Sequence, residues 1–264
     1  MLIKITKSCS NGCTHCLNDS KLCDEHMTLD TFKDVLRFCL KYDNDKFGNL
    51  ITGGEPTEHP QFLKFIDTYY SIYPLNNICT ITTNGHWILN HQEETLDLLN
   101  KYPFLFFQVT YDSRYYPKKL DTTKRILRHP RICGQTGVCT VEHIYPQGRA
   151  LINRIPASSA YNNPKCGNLK LIAAQSSNYE LKEILEYLRM ANNHCIPAIA
   201  YDGKIEFGES DLCPKLCSIY DDEKKIVKEM LFNDCNRCPL EISNNTLKSK
   251  ILYGRARWRQ IYGD

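Results

Sequence analysis

The sequence has no apolar run approaching eighteen residues, which excludes an ordinary membrane-spanning helix. It opens on Met1-Leu2-Ile3-Lys4-Ile5, without a basic stretch leading into an apolar one, so no secretory leader is expected. Neither an internal repeat nor a low-complexity linker interrupts it, which argues against a solenoid or a tethered array. Net charge is scarce: Lys and Arg exceed Asp and Glu by only +3 over 264 residues, too little to predict a nucleic-acid or membrane-surface partner. Cysteine, by contrast, is abundant, at 14 residues. In a chain with no leader, clustered thiols are expected to ligate metal in a reducing cytoplasm rather than pair as disulfides. The length and the 42% hydrophobic content suit one barrel-sized domain, or a domain with a small extension.

The cysteines nearest the N-terminus are Cys9, Cys13 and Cys16, in a C-x3-C-x2-C run. They follow Leu2–Thr6, which reads as a strand, so the thiols fall on a strand-end loop where α/β folds place their chemistry. The run offers three thiolates and no fourth. Structural zinc sites close with four protein ligands. A cubane iron–sulfur cluster held by three cysteines leaves one iron open to a small molecule. The spacing alone leaves both metals open. A second strand-like segment, 47–52, runs into Gly53-Gly54-Glu55-Pro56. Paired glycines permit close backbone approach to a ligand. Carbonyl groups and the Glu55 carboxylate could accept from an ammonium group.

Together the two motifs resemble those of the radical S-adenosylmethionine (radical SAM) superfamily, C-x3-C-x-Φ-C followed by GGEP. His15 stands at the Φ position, which is usually aromatic. The resemblance implies a 4Fe–4S cluster on Cys9, Cys13 and Cys16, with SAM bound at its open iron and SAM's amino group held at residues 53–56. It also implies reductive cleavage of SAM to a radical that takes hydrogen from a substrate, and an electron donor such as flavodoxin or ferredoxin. The implied fold is a partial (β/α)6 TIM barrel.

Periodicity agrees with an α/β fold, because strand-like and helix-like segments alternate. Helices are expected from Met27 to Tyr42 with Thr28 as N-cap, over 60–72, near 91–100, within 117–129 and over 178–191. Further strands are expected over 78–82, 104–111, 138–145 and 169–174. Strand ends in such folds converge on one site. They carry Thr83 and Asn84, then Thr110 and Asp112, then Gly148-Arg149-Ala150. Thr110 or Asp112 could bind ribose hydroxyls, and Arg149 could pair with the SAM carboxylate. The Gly-Arg-Ala segment is similar to one in the family branch that carries extra clusters.

After about residue 190 the alternation stops and cysteines return. Cys195, a hairpin signal at Asp202-Gly203, Cys213, Cys217, a helix with Ile226, Val227, Met230 and Leu231 inward, and Cys235-x2-Cys238 follow in order. This resembles the twitch domain, a shortened relative of the SPASM domain. The resemblance implies an auxiliary 4Fe–4S cluster on Cys195, Cys213, Cys235 and Cys238, with Cys217 a competitor for Cys213. A four-cysteine zinc site stays open on ligand identity. The expected division is a barrel over 1–190 and a β-hairpin-plus-helix, cluster-binding extension over 191–264. Cys166 and Cys217 are expected in loops near the site, as hydrogen donors of the kind used by epimerising members, or as idle thiols. The basic, aromatic tail over 248–262 is expected to pack on the domain rather than to bind nucleic acid.

The expected activity is oxidation or maturation of a small molecule or a ribosomally made peptide (a RiPP). No leader-binding domain fits ahead of Cys9, which tilts the expectation toward a small substrate. A peptide epimerase and a non-catalytic, metal-stabilised binding protein are the alternatives.

Overall fold

The computed structural model describes residues 1–43, 48–132, 144, 148–156, 180–190, 197–207 and 215–232. Its strands are β1 (Leu2–Thr6), β2 (Asn49–Gly53), β3 (Cys79–Thr83), β4 (Leu105–Val109), β5 (Pro197–Ile199), β6 (Lys204–Phe207) and β7 (Lys215–Ser218). Its helices are α1 (Leu29–Tyr42), α2 (Phe62–Ile72), α3 (His86–Asn90), α4 (Gln92–Lys101), α5 (Gly148–Ile152), α6 (Leu181–Met190) and α7 (Glu223–Phe232). The strands form one sheet in the order β4-β3-β2-β1-β5-β6-β7. β1 to β4 are parallel neighbours joined by helical crossovers, and β5 runs parallel to β1 on its other side. β6 and β7 return antiparallel. This is an α/β fold that fits a partial TIM barrel.

Strand alternation sets the two faces of the sheet. Ile3, Ile5, Ile51, Cys79, Ile81, Leu105 and Phe107 join the core with Phe32, Val35 and Leu36 of α1 and Phe65, Ile66 and Tyr69 of α2. Each such side chain contributes about 1.5–3 kcal/mol when fully buried. The opposite face carries Leu2, Leu50 and Phe106 toward the start of the strands and is polar toward their C-terminal ends. Lys4, Thr52, Thr82 and Gln108 stand level on adjacent strands, as the pairs Lys4↔Thr52 and Thr82↔Gln108 show. A closed TIM barrel fills this interior with branched apolar side chains. Here Thr52, Thr82 and Gln108 are only half-buried. Lys4 is buried, and its ammonium group donates to Glu206 of β6 at 2.8 Å.

α1 begins as expected, with Thr28 Oγ1 accepting from the Thr31 N–H at 3.1 Å. Its buried residues are Phe32, Val35, Leu36, Phe38 and Cys39, and Leu40 is 48% exposed. The helix expected within 117–129 is absent apart from one 3-10 turn, Arg125–Arg128. Asp121 is the reason: its carboxylate accepts from both the N–H and the hydroxyl of Thr123, an Asx turn that competes with helix hydrogen bonds.

The strand expected over 169–174 lies outside the described residues, as does nearly all of that expected over 138–145. The hairpin at Asp202-Gly203 is present, with Gly203 at φ +77° as its turn requires. It does not form a sheet of its own, because β5 hydrogen-bonds along β1 and extends the barrel sheet. Ile184 and Leu185 of α6 and Ile226 and Met230 of α7 enter the same core, with Val227 packed partly buried against it. No helix among the described residues is long and apolar enough to cross a membrane.

Candidate active site

The C-terminal ends of β1 to β4 open into one cleft. Cys9, Cys13 and Cys16 line it, as do Gly53, Gly54, Glu55, Thr83, Asn84, Thr110, His15 and Arg149. Pro56 is buried in the 3-10 turn behind this wall, and Asp112 is buried outside it.

The cysteine loop is held from both sides. The Gly54 N–H donates to Thr6 O at 2.7 Å and the Glu55 N–H to Ser8 O at 2.8 Å. A Cβ on Gly53 would lie 2.2 Å from Thr6 O, and one on Gly54 would lie 2.2 Å from Ser8 O. The glycine pair is therefore demanded by contact between two stretches of backbone. Gly148 has the same role across the cleft. It sits at φ +54°, its Cβ would lie 2.3 Å from Cys16 O, and the next N–H, that of Arg149, donates to Cys16 O at 2.9 Å.

The thiols line one wall, Cys13 buried and Cys9 and Cys16 half-buried, without closing on a single point; no three His, Cys, Asp or Glu side chains among the described residues are grouped to hold one metal ion. Burial, and then the charges of Cys9 and Cys16, push Cys13 up to about 12. Burial likewise pushes Cys9 up to about 11. Cys9 and Cys13 ionise together only when positive charge is supplied, and iron in a cluster would supply it. Asn11 donates from Nδ2 to Cys13 Sγ at 3.1 Å and leaves its buried Oδ1 without a partner. The His15 ring lies between Tyr115 and Tyr116, with centroids 5.1 and 5.4 Å away. Burial pulls it down to about 4, so the ring is neutral.

Glu55 is the hub of the opposite wall. It is 3% exposed, and its oxygens accept from the Thr57 N–H and hydroxyl, the Thr83 hydroxyl at 2.6 Å and the Asn84 N–H at 2.7 Å. All four donors are neutral. Burial raises its pKa, and these hydrogen bonds oppose the rise. Arg149 faces the reverse situation. Its side chain is 16% exposed, Nε and Nη2 are buried with no hydrogen-bond partner, and Nη1 reaches Asp19 only at 3.6 Å. A buried carboxylate held by neutral donors and a buried guanidinium with idle donors fit one ligand that carries both an ammonium and a carboxylate. The donor set thus fits an iron–sulfur cluster with an amino-acid-like ligand beside it.

A family model described as the radical SAM superfamily matches residues 3–139. The chain belongs to the radical SAM superfamily. Members of that superfamily are enzymes, and the family implies a 4Fe–4S cluster and SAM. No curated protein matches this radical SAM chain. Among solved structures, it is similar to BtrN in complex with AdoMet and 2-DOIA: 13% identity, 96% of this chain, 84% of that chain and a TM-score of 0.48. It is similar to anSMEcpe with bound AdoMet: 14% identity, 98% and 87% coverage, TM-score 0.43. A third is Streptococcus suis SuiB bound to precursor peptide SuiA: 14% identity, 97% and 66% coverage, TM-score 0.49.

Several sequence expectations about this radical SAM site need revision. Asp112 does not face the cleft. Arg114 binds its carboxylate through Nε at 2.9 and 3.1 Å and through Nη2 at 2.5 Å, which holds its pKa below the usual carboxylate value. Cys217 is on β7 opposite Ile205, not in a loop; it is buried in the core and does not line the cleft. Burial pushes its thiol up to about 12. Cys166, Cys195, Cys213, Cys235 and Cys238 lie outside the described residues, as does the basic tail. Tyr116, which donates to Thr110 Oγ1 at 3.1 Å, and Asn11 belong to the site although neither was expected. Asn11 could have been found, since it is the only amide side chain inside the cysteine run.

Proposed function

We propose that this protein is a radical SAM enzyme that binds a 4Fe–4S cluster on Cys9, Cys13 and Cys16 and cleaves SAM reductively. The observation that carries the reading is the pairing, around three thiols that line one cleft, of Arg149 with idle donors and Glu55 with neutral ones. With cluster and SAM bound, the site supplies a 5'-deoxyadenosyl radical that takes a hydrogen atom from the substrate. The chain's own residues do the rest. Arg149 receives the carboxylate of the methionine end, and the Glu55 wall receives its ammonium. Thr110 and Asn84 offer hydrogen-bonding groups to the nucleoside, and His15, Tyr115 and Tyr116 form the apolar cover beside the cysteine loop.

The substrate, a small molecule or a peptide, occupies the polar barrel interior at Thr52, Thr82 and Gln108. In a twitch-like segment over 191–264, Cys195, Cys213, Cys235 and Cys238 would hold a second 4Fe–4S cluster, which would supply an acceptor for the second electron of a substrate oxidation. The strand directions support this arrangement. β5 runs parallel to β1, and β7 runs in the same direction as β5. The chain therefore enters both strands at the end of the sheet opposite the SAM cleft, and Cys195 and Cys213 stand just before those entries in sequence. Five-residue strands set the two ends roughly 15 Å apart.

Iron and sulfide content after anaerobic reconstitution tests the second cluster. About eight irons per chain are expected from two cubanes, and about four would reduce the account to the SAM cluster alone.

A further inference from the structure

The chain's small net charge of +3 conceals one concentrated field. Between Arg114 and Arg131 stand seven Arg or Lys residues and a single acid, Asp121, so the rest of the chain is net negative. This segment begins on the cysteine loop. Tyr115 O accepts from the Thr14 N–H at 2.9 Å, and Lys118 Nζ donates to Ser10 Oγ at 2.8 Å. Ser10, Gly12 and Thr14 are the exposed ridge of that loop, each adjacent in sequence to a thiol or one residue from it. The segment then runs back to β4, where Arg131 O accepts from the Phe107 N–H at 2.9 Å. Buried Leu120, Ile126 and Leu127 anchor it, while Lys118, Lys119, Lys124, Arg125 and Arg128 stay exposed. Three carboxylates temper the field: Asp112 pairs with Arg114, Asp121 with Lys124, and Glu58 accepts from Ser10. The balance remains positive, on an ordered backbone beside the only described thiols that share a cleft.

From this placement, and resting on the cluster reading above, we infer that the face formed by Ser10–Thr14 and 114–128 docks a small acidic electron-transfer protein. Position selects this partner over a nucleic acid. An electron donor must come close to the cluster loop, whereas phosphate binding gains nothing from that proximity. Transient redox encounters use small faces and depend on rim charges that steer approach. In the step itself the reduced donor loses one electron and the cluster gains it, with no bond made or broken.

The test compares two reductants on the reconstituted full chain, with 5'-deoxyadenosine as the readout: dithionite, and an acidic flavodoxin kept reduced by its own reductase. For Lys119→Glu/Lys124→Glu at low ionic strength, the flavodoxin concentration giving half-maximal rate is expected to rise about tenfold or more. The dithionite rate should stay unchanged, and added salt should shrink the difference. Lys64→Glu/Lys228→Glu, on exposed helix positions elsewhere, should leave both reductants unaffected. Unchanged flavodoxin dependence in the first variant, or an equal effect in the second, overturns the docking face while leaving the enzyme reading intact. So does capture of an RNA oligomer by this segment without any change in flavodoxin dependence. Absence of product even with dithionite overturns the enzyme reading, and this inference with it.

Discussion

Cys13→Ala is expected to reduce 5'-deoxyadenosine formation to background and to remove about four irons per chain, while the fold persists. Of the three loop thiols, Cys13 is the most buried, at 8% exposure, and it is flanked by the charges of Cys9 and Cys16. Two thiolates cannot complete a cubane's protein ligation. The loop itself does not depend on the thiol for its path. Ser10 is held by Glu58 at 2.8 Å, Thr14 by Tyr115 O at 2.9 Å and Cys16 O by the Arg149 N–H at 2.9 Å. The far-ultraviolet spectrum of the apo variant should therefore match that of the apo parent, with only a small fall in thermal midpoint, because buried Asn11 Nδ2 loses its contact with Cys13 Sγ. Undiminished SAM cleavage would refute the ligand assignment.

Glu55→Ala is the second large effect, and it combines stability with binding. The change strands the Thr83 hydroxyl and the Asn84 N–H in a buried wall and frees Thr57 from its local turn. Leaving buried donors unsatisfied costs about 1–3 kcal/mol each, so a loss of about 2–6 kcal/mol is expected by denaturant unfolding. SAM affinity should fall at least tenfold in the fraction that remains folded, because the cleft loses its buried carboxylate. Glu55→Gln separates the two roles. It keeps the volume and one acceptor oxygen, so stability should return in part while SAM affinity stays low. Full recovery of affinity in Glu55→Gln would show that shape, rather than charge, holds the ligand.

The barrel strands were legible as short apolar or alternating segments between turn signals. Ile5 and Ile81 point to the core between polar neighbours, while Ile3, Ile51 and Leu105 lie in runs that also include Leu2, Leu50 and Phe106. The cysteine run, the Thr28 cap and the Asp202-Gly203 turn were legible because their chemistry is local. What was not legible depends on distant residues or on rotamers. Nothing in Asp112 itself announces that Arg114 will fold back onto it and turn it from the cleft. Nothing local to Gly54 reveals that Ser8 O stands where its side chain would be. β5 pairs with β1 across most of the chain, so a hairpin that reads as separate becomes part of the barrel sheet. The four-residue strand around Cys217 is too short for its alternation to be distinguished from a loop.

The most direct test of the central claim is to incubate the reconstituted, reduced wild-type protein with SAM and quantify 5'-deoxyadenosine and methionine. The account predicts that both form in equal amounts, and that formation depends on reductant. A protein that holds a complete four-iron cluster, binds SAM and yet releases neither product would contradict it.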